Sequence, residues 1–166
     1  MPGEITLRRA TIDDYAFLGA MLAEAAAWSR SPEEAPPTLD ELLEWGPTAH
    51  YIAGWGRDGD EGVIAEVDGT PAGACWYRHF TAEQPCYGFL GPDVPGISLA
   101  VCQERRRRGI GQRLLAALVE VARDHCVATL SLSVEAGNDR ARRLYDRAGF
   151  VFVAPEEASL TLRLDL

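Results

Sequence analysis

The sequence predicts an α/β domain whose mixed sheet has about seven strands. Short segments that alternate apolar and polar residues are typical of strands and recur along the chain. Two segments in the C-terminal half, Gly109 to Ala122 and Asp139 to Ala148, have helical apolar spacing or helix-capping residues. A strand, a helix and a strand follow one another in the middle of the chain, which predicts a parallel pair with a right-handed crossover. The 166 residues suit one domain spanning 1–166.

The N-terminal third is expected to hold one strand and two helices. Ile5 and Leu7 alternate with polar residues, which predicts a strand over 4–8. Thr11 and Asp14 approach a capping box, and the apolar spacing that follows predicts a helix from Asp13 to Ala27. Three prolines between positions 29 and 37 predict a loop, and a short helix is expected from Leu39 to Trp45.

A hairpin is predicted in the middle of the chain. The strands Val63 to Val67 and Ala72 to Tyr77 flank the dipeptide Asp68-Gly69, a strong signal for a tight hairpin turn. The following segment, Thr81 to Pro95, is rich in proline and glycine and is expected to be irregular.

The C-terminal half is expected to alternate strands with the two helices. Asn138 is a good N-cap for the second helix and Gly149 a good C-terminal stop. The four predicted strands are Ile97 to Val101, Thr129 to Val134, Phe150 to Val153, and 160–166.

Composition excludes several classes of protein. The formal charge of −9 argues against nucleic acid as a partner. The chain contains no lysine, which excludes a P-loop NTPase, because that phosphate loop requires one. No apolar run suits a membrane span and no signal peptide is visible, so we expect a cytoplasmic protein without a membrane partner.

The cysteines do not form a recognisable framework. Cys75, Cys86, Cys102 and Cys126 include no Cys-x-x-Cys pair, and no histidine is spaced to complete a metal site. We therefore expect reduced thiols, and no metal as a cofactor.

The segment from Leu99 to Gln112 has the features of an anion-binding site. A buried strand ends, a basic turn follows, and glycines open a helix whose first amides lack partners within it. Gly109 and Gly111 have no Cβ, so a phosphate could approach the backbone closely. Residues 104–113 hold five arginines and one glutamate in an otherwise acidic chain. A phosphorylated ligand would explain this concentration of charge; a solvated turn is the alternative.

Two motifs in this half resemble the GNAT superfamily of N-acetyltransferases. The run Arg106-Arg107-Arg108-Gly109-Ile110-Gly111 is similar to its Arg/Gln-x-x-Gly-x-Gly/Ala motif. The second signature begins with Leu132-Ser-Val-Glu-Ala-Gly-Asn138 and continues with Ala141, Leu144-Tyr145 and Gly149-Phe150. The resemblance covers about the C-terminal half, and the elements predicted before it agree with that family's fold.

The resemblance implies acetyl-coenzyme A as co-substrate. It implies helices on both faces of the sheet and a central parallel pair splayed to hold the pantetheine arm. An amide of Leu99 or Ala100 would stabilise the oxyanion, and Asn138 would contact the arm as well as cap its helix. Arg107 occupies a position at which many family members have glycine. The residues expected to bind the cofactor are Leu99, Ala100, Val101, Arg106, Arg107, Arg108, Gly109, Ile110, Gly111, Gln112 and Asn138.

The resemblance also implies catalytic roles. Tyr145 matches the tyrosine proposed in this family as general acid for the departing thiolate, and a buried core aromatic is the alternative. The general base is the weakest part of the match, because a position that is often acidic in relatives is Gly96 here. Asp93 is our candidate base. The other candidates are Glu66, Glu135 and His79.

The sequence thus predicts an acyl-CoA-dependent N-acyltransferase that moves an acetyl group to a primary amine by direct attack in a ternary complex. The acceptor could be a small amine, an antibiotic, a polyamine, an amino acid or a peptide, and the protein could form a homodimer. Gly96 favours one alternative, a non-catalytic acyl-CoA-binding module. An enzyme for a longer acyl group is another. Trp28, Trp45, Trp55 and Trp76 are expected to be packing residues, although they could line a substrate pocket.

Overall fold

The computed structural model describes residues 2–166. It contains a seven-stranded sheet and four α-helices within those residues. The elements in chain order are β1 (Ile5–Arg9), α1 (Tyr15–Ala26), α2 (Leu39–Leu43), β2 (Glu61–Val67), β3 (Thr70–Arg78), β4 (Gly96–Val101), α3 (Ile110–Asp124), β5 (Thr129–Glu135), α4 (Asp139–Ala148), β6 (Val151–Glu156) and β7 (Ser159–Asp165).

The sheet has the strand order β1-β2-β3-β4-β5-β7-β6. Every neighbouring pair is antiparallel except β4 and β5, which are parallel and joined by α3. Strand β7 therefore lies inside the sheet and β6 forms its edge. The predicted fold class, a mixed sheet with one central parallel pair, is confirmed.

Helices cover both faces of the sheet, as expected. The apolar face of α3 and the buried side of α4 pack on one face, where Leu114, Leu118 and Tyr145 belong to one core. Helices α1 and α2 pack on the other face around a second core that includes Leu18 and Leu42. The sheet thus separates two apolar layers, and a ligand that enters between its strands would meet both.

The first helix begins later than predicted. Thr11 caps a short 3₁₀ turn, Ile12–Asp14, with a complete capping box, and α1 starts only at Tyr15. The side chain of Asp14 is committed to the Thr11 amide and to an ion pair with Arg8. The short second helix also ends two residues earlier than predicted, at Leu43, and a 3₁₀ segment, Gly46–Tyr51, follows it.

The hairpin prediction is confirmed. Asp68 and Gly69 join β2 to β3 with φ angles of 50° and 80°, the left-handed backbone that a two-residue hairpin turn requires. Residues 79–95 then cross the α1 face without regular structure. The N–H of Gly88 donates to Glu156 at 2.7 Å, which fastens this segment over the far strands of the sheet.

A buried ion pair holds the segment before β2 to the sheet. Arg78 at the end of β3 is fully buried, and its guanidinium makes two bonds of 3.0 Å to the Asp60 carboxylate. It also donates to the backbone oxygens of His50 and Ala53. Each of the three guanidinium nitrogens thereby has an acceptor, which favours the burial of this cation.

Candidate active site

The two parallel strands are hydrogen-bonded at one end only. Gly96 and Ser131 are the one pair in register between β4 and β5, and the Ser131 amide donates to the Pro95 oxygen at 3.0 Å. Beyond that point a cleft of about 950 Å³ opens between the strands. It is lined by residues 97–101 of β4 and 133–135 of β5.

The backbone of β4 presents alternate residues to this gap. The Cys102 amide donates to the Ala72 oxygen of β3 at 2.8 Å. Because the amides of an extended strand alternate in direction, those of Ala100 and Ser98 also face β3, whereas those of Leu99 and Val101 face the cleft. Of the two amides predicted to polarise a carbonyl, Leu99 is therefore the one that faces the gap.

One end of the cleft is the turn before α3. Arg107 and Gly109 have φ angles of 66° and 76°, and the first intrahelical bond runs from Arg113 to Gly109. The amides of residues 110–112 therefore have no partner within the 15-residue helix, at its electropositive end. A Cβ on Gly109 would meet no atom within 4 Å, so the space beside this residue is open. This is the geometry of an anion site.

The side chain of Arg106 is occupied by the protein itself. Its guanidinium donates to the Val101 oxygen and to buried Glu24 of α1, each at 3.2 Å. Glu24 also accepts a bond from Arg30 at 2.5 Å, and Arg30 donates to Gln103. This cluster ties α1 to the turn and occupies the Arg106 guanidinium, while the Arg106 amide makes a longer bond of 3.5 Å to the Gln103 oxygen.

Other arginines surround the same end of the cleft. Arg107 and, from α4, Arg140 and Arg143 line it. The pKa of Arg140 is lowered. Desolvation by burial is the largest cause, and the positive charges of Arg107, Arg106 and Arg143 add to it. Crowding of like charges is unfavourable in the protein alone and favours a bound polyanion.

Asn138 has the capping role that the sequence predicts. Its Oδ1 accepts from the Ala141 amide at 3.2 Å at the start of α4, and the residue also lines the cleft. Its contact with a cofactor arm stays a prediction. Two of the predicted site residues, Arg108 and Asp93, are exposed and are not among the residues that line the cleft.

Tyr145 belongs both to the core and to the lining of the cleft. Its ring is buried on α4 against Phe150, with ring centroids 5.7 Å apart, and it lines the cleft. Burial raises the pKa of its phenol, and nothing within residues 2–166 hydrogen-bonds the hydroxyl. A hydroxyl at the wall of a cleft that has no protein partner is available to a ligand. Tyr145 thus packs as a core aromatic and still presents a free donor.

Of the four candidate bases, the structure brings Glu135 to the cleft. Glu66 is paired with Arg8 at 2.8 Å on β2, and His79 bonds the Pro92 oxygen away from the cleft. Asp93, our first candidate, is exposed in the turn before β4 and does not line the cleft, and its role as base stays a prediction. Glu135 ends β5, and its Oε2 accepts from Trp28 Nε1 at 2.6 Å.

The geometry around Gly96 explains why no acidic residue occupies that position. A Cβ there would lie 2.8 Å from Cys86 Sγ and 3.1 Å from the Phe80 ring. Any side chain would displace the irregular segment packed against β4.

The other end of the cleft is aromatic. Trp28, Trp45, Tyr51 and Tyr87 line it, and they come from the end of α1 and from the irregular segments around it. The Tyr51 and Tyr87 rings stack with centroids 6.4 Å apart. The sequence analysis expected the tryptophans to be packing residues and named pocket lining only as an alternative. Nothing in the sequence pattern marked the tyrosines, because segments without periodicity give no indication of what they face.

Three of the four cysteines lack the environment of an activated nucleophile. Burial raises the pKa values of Cys75 and Cys86, that of Cys86 to about 12, and burial with nearby carboxylates raises that of Cys102. All four cysteines are free. The described residues also contain no cluster of metal-ligating side chains, and none of their helices is long and apolar enough to cross a membrane.

Comparison with known proteins identifies a family whose members resemble this chain. The acetyltransferase (GNAT) family profile matches residues 20–150. The mycothiol acetyltransferase of Acidimicrobium ferrooxidans is 39% identical over 103 residues, which are 61% of this chain and 31% of that protein. The chain therefore spans less than a third of that relative.

Solved structures agree in fold. The ribosomal-protein-alanine N-acetyltransferase of Brucella melitensis is 26% identical, with a TM-score of 0.68 over 97% of this chain and 99% of that one. YncA of Salmonella typhimurium, a putative acetyltransferase solved with its cofactor acetyl-CoA, is 18% identical, with a TM-score of 0.68 over 98% of this chain and 94% of that one. With a family profile that spans most of its length and a splayed parallel pair beside a glycine-opened helix, this chain belongs to the acetyltransferase (GNAT) family.

Proposed function

We propose that this chain transfers the acetyl group of acetyl-coenzyme A to a primary amine by direct attack within a ternary complex. The observation that carries the proposal is the single register pair between β4 and β5, beyond which a cleft opens through the sheet. One end of this cleft suits a diphosphate and the other an organic amine, so both substrates could be held together.

The residues present fit the cofactor. The unpaired amides at the start of α3 and the open space beside Gly109 suit its diphosphate. The backbone groups of Leu99 and Val101 face the gap and could bond its pantetheine arm as an added strand does. The fold neighbour from Salmonella, solved with acetyl-CoA, supports this assignment. The residues that would hold it are Leu99, Val101, Arg106, Arg107, Gly109, Ile110, Gly111, Gln112 and Asn138.

The bound thioester would supply the acetyl group and a thiol leaving group. The Leu99 amide is placed to stabilise the negative charge that develops on the carbonyl oxygen. Glu135, which lines the cleft, would accept the proton that the amine must lose before attack, directly or through water. Tyr145 keeps its proton because burial raises its pKa, so its hydroxyl can donate a hydrogen bond that strengthens as charge builds on sulfur.

Gly96 favours a second candidate, a module that binds acyl-CoA without catalysis. The family resemblance leads us to expect an acid near this position, and the packing of Cys86 and Phe80 leaves no room for a side chain there. The presence of Glu135 in the cleft argues for the enzyme, because it supplies a carboxylate from a different strand.

The decisive experiment combines calorimetry with a thiol-release assay. We expect coenzyme A to bind at low salt, and acetyl-CoA to release free thiol in the presence of a primary amine. Gly109→Glu should abolish the binding, because it places a negative charge at the anion site. Ala116→Glu is the matched control, since it adds the same charge to an exposed position farther along α3.

Each result separates the candidates. Binding without thiol release across a broad panel of amines would establish the non-catalytic module. Absence of coenzyme A binding, or binding unchanged by Gly109→Glu, would refute the placement of the cofactor.

A further inference from the structure

We infer that the acceptor is a compact primary amine with an aromatic or otherwise apolar body and no carboxylate beside the amine. The inference rests on the proposed function and specifies the substrate class of the same site. It follows from three properties of the cleft's aromatic end, which we define as Trp28, Trp45, Tyr51 and Tyr87.

The first property is exposed aromatic surface. Trp45 is 46% exposed and Tyr87 is 39% exposed, although both line the cleft. Large apolar side chains left open to water at the mouth of a cleft mark a place where a partner is buried. The stacked rings of Tyr51 and Tyr87 offer a flat wall, which suits a flat or compact apolar body.

The second property is that the polar groups here bond one another. The Tyr51 hydroxyl donates to the backbone oxygen of Tyr87 at 3.2 Å and accepts from the backbone amide of Tyr87 at 3.1 Å. The Tyr87 hydroxyl lies 3.4 Å from Thr48 Oγ1, and Trp28 Nε1 donates a hydrogen bond to Glu135. An amino sugar would bury several hydroxyls and would require a partner for each, which this wall does not supply.

The third property is the distribution of charge. Three acidic residues among positions 2–166 line the cleft. Glu24 is neutralised by Arg30 and Arg106, and Asp139 opens α4 beside the arginines, which leaves Glu135 at the aromatic end. Its Oε2 is bonded by Trp28, so Oε1 is free to receive an ammonium group.

The arginines that line the cleft come from the turn before α3 and from α4. Neither Glu135 nor any of the four residues that define the aromatic end carries a positive charge, so a carboxylate on the acceptor, as in a free amino acid, would find no cationic partner among these five residues. The desolvation and repulsion of that carboxylate would disfavour amino acids, whereas a simple amine would keep the favourable contact with Glu135.

The test measures kcat/KM by thiol release at saturating acetyl-CoA. The amines are 2-phenylethylamine, phenylalanine, glucosamine, spermidine and an alanyl peptide amide. We expect 2-phenylethylamine to exceed each of the others by about tenfold or more, since an unpaired buried polar or charged group costs at least that much. Phenylalanine is the most informative comparison, because it adds one carboxylate to the same body.

Two variants locate the effect. Trp45→Ala should raise KM for 2-phenylethylamine about tenfold and leave coenzyme A affinity unchanged, and Phe152→Ala is the control, since Phe152 is equally exposed but lies outside the cleft. Glu135→Gln should lower kcat/KM for the amine, whereas Glu83→Gln, an exposed acid outside the cleft, should not.

The outcomes distinguish the two proposals. Thiol release that is fastest with phenylalanine, glucosamine, spermidine or the peptide overturns the acceptor class and leaves the acetyltransferase proposal standing. Kinetics with 2-phenylethylamine that are unchanged by Trp45→Ala also overturn it. If coenzyme A binds and no amine of any class releases thiol, the proposed function itself fails.

Discussion

Tyr145 shows how one side chain can serve both the core and the cleft. Its ring packs against Phe150 while its hydroxyl has no protein partner within residues 2–166. We expect Tyr145→Phe to lower kcat by about a hundredfold, the usual contribution of a positioned proton donor. Coenzyme A affinity measured by calorimetry should stay the same, because the ring and its packing are retained. An unchanged kcat would remove Tyr145 from the mechanism.

The pKa of Tyr145 fixes the sign of one pH effect. Burial raises this pKa above the ordinary value of 10.0, so the phenol stays protonated throughout the neutral and mildly alkaline range. Its hydroxyl is thus in the donating form across that range. The pH profiles of kcat should therefore have the same shape below about pH 10 in wild type and in Tyr145→Phe. Any loss of activity that wild type shows in that range should also appear in the variant.

Gly96 illustrates a position that packing reserves for glycine. Gly96→Ala should lower the free energy of unfolding by about 1–3 kcal/mol, since its Cβ would overlap Cys86 Sγ, and Gly96→Glu should lower it further. Urea denaturation measures both. Gly96→Glu should also fail to raise kcat, and a faster Gly96→Glu enzyme would show that the site lacks a base.

At the level of elements, the turn before α3 depends on α1 for its position. Glu24 of α1 bonds both Arg106 and Arg30, and these three side chains are largely shielded from solvent. Replacement of this carboxylate removes the charge shared by two guanidiniums.

We therefore expect Glu24→Gln to lower the free energy of unfolding by about 2 kcal/mol and to weaken coenzyme A binding. Chemical denaturation and calorimetry test the two effects. Glu44→Gln, at an exposed acid that follows α2, is the control and should change neither. Equal stability of Glu24→Gln and wild type would mean that the cluster does not hold α1 to the turn.

Across the whole molecule, the sheet carries two cores, and the buried Arg78–Asp60 pair fastens the segment before β2 to it. Asp60→Asn would leave the guanidinium of Arg78 buried without its counter-ion. We expect the free energy of unfolding to fall by about 3 kcal/mol or more, as measured by urea or thermal denaturation. The adjacent exposed acid provides the control, Asp58→Asn, which should be nearly neutral. Similar losses in both variants would contradict a specific role for the pair.

Local sequence patterns were sufficient for most of the architecture. The spacing of Leu114 and Leu118, the cap at Asn138 and the Asp68-Gly69 turn each act within a few residues, so their outcomes can be predicted from the chain alone. The start of α1 was wrong by two residues, because the Thr11 capping box closes a 3₁₀ turn before the helix. The motif before α3 is local as well, and it indicated an anion site from the residues themselves.

The aromatic end of the cleft, by contrast, is built from residues that are distant in sequence. Asp93 was our candidate base, yet it is exposed and outside the cleft, whereas Glu135 lines the cleft. Glu135 meets Trp28 across 107 positions of chain, and Tyr51 meets Tyr87 across 36. Such meetings depend on how the irregular segments pack over the sheet. Short-range periodicity carries no information about that packing. The glycine-opened turn before α3 could therefore be predicted from sequence, whereas the aromatic end of the cleft required the folded chain.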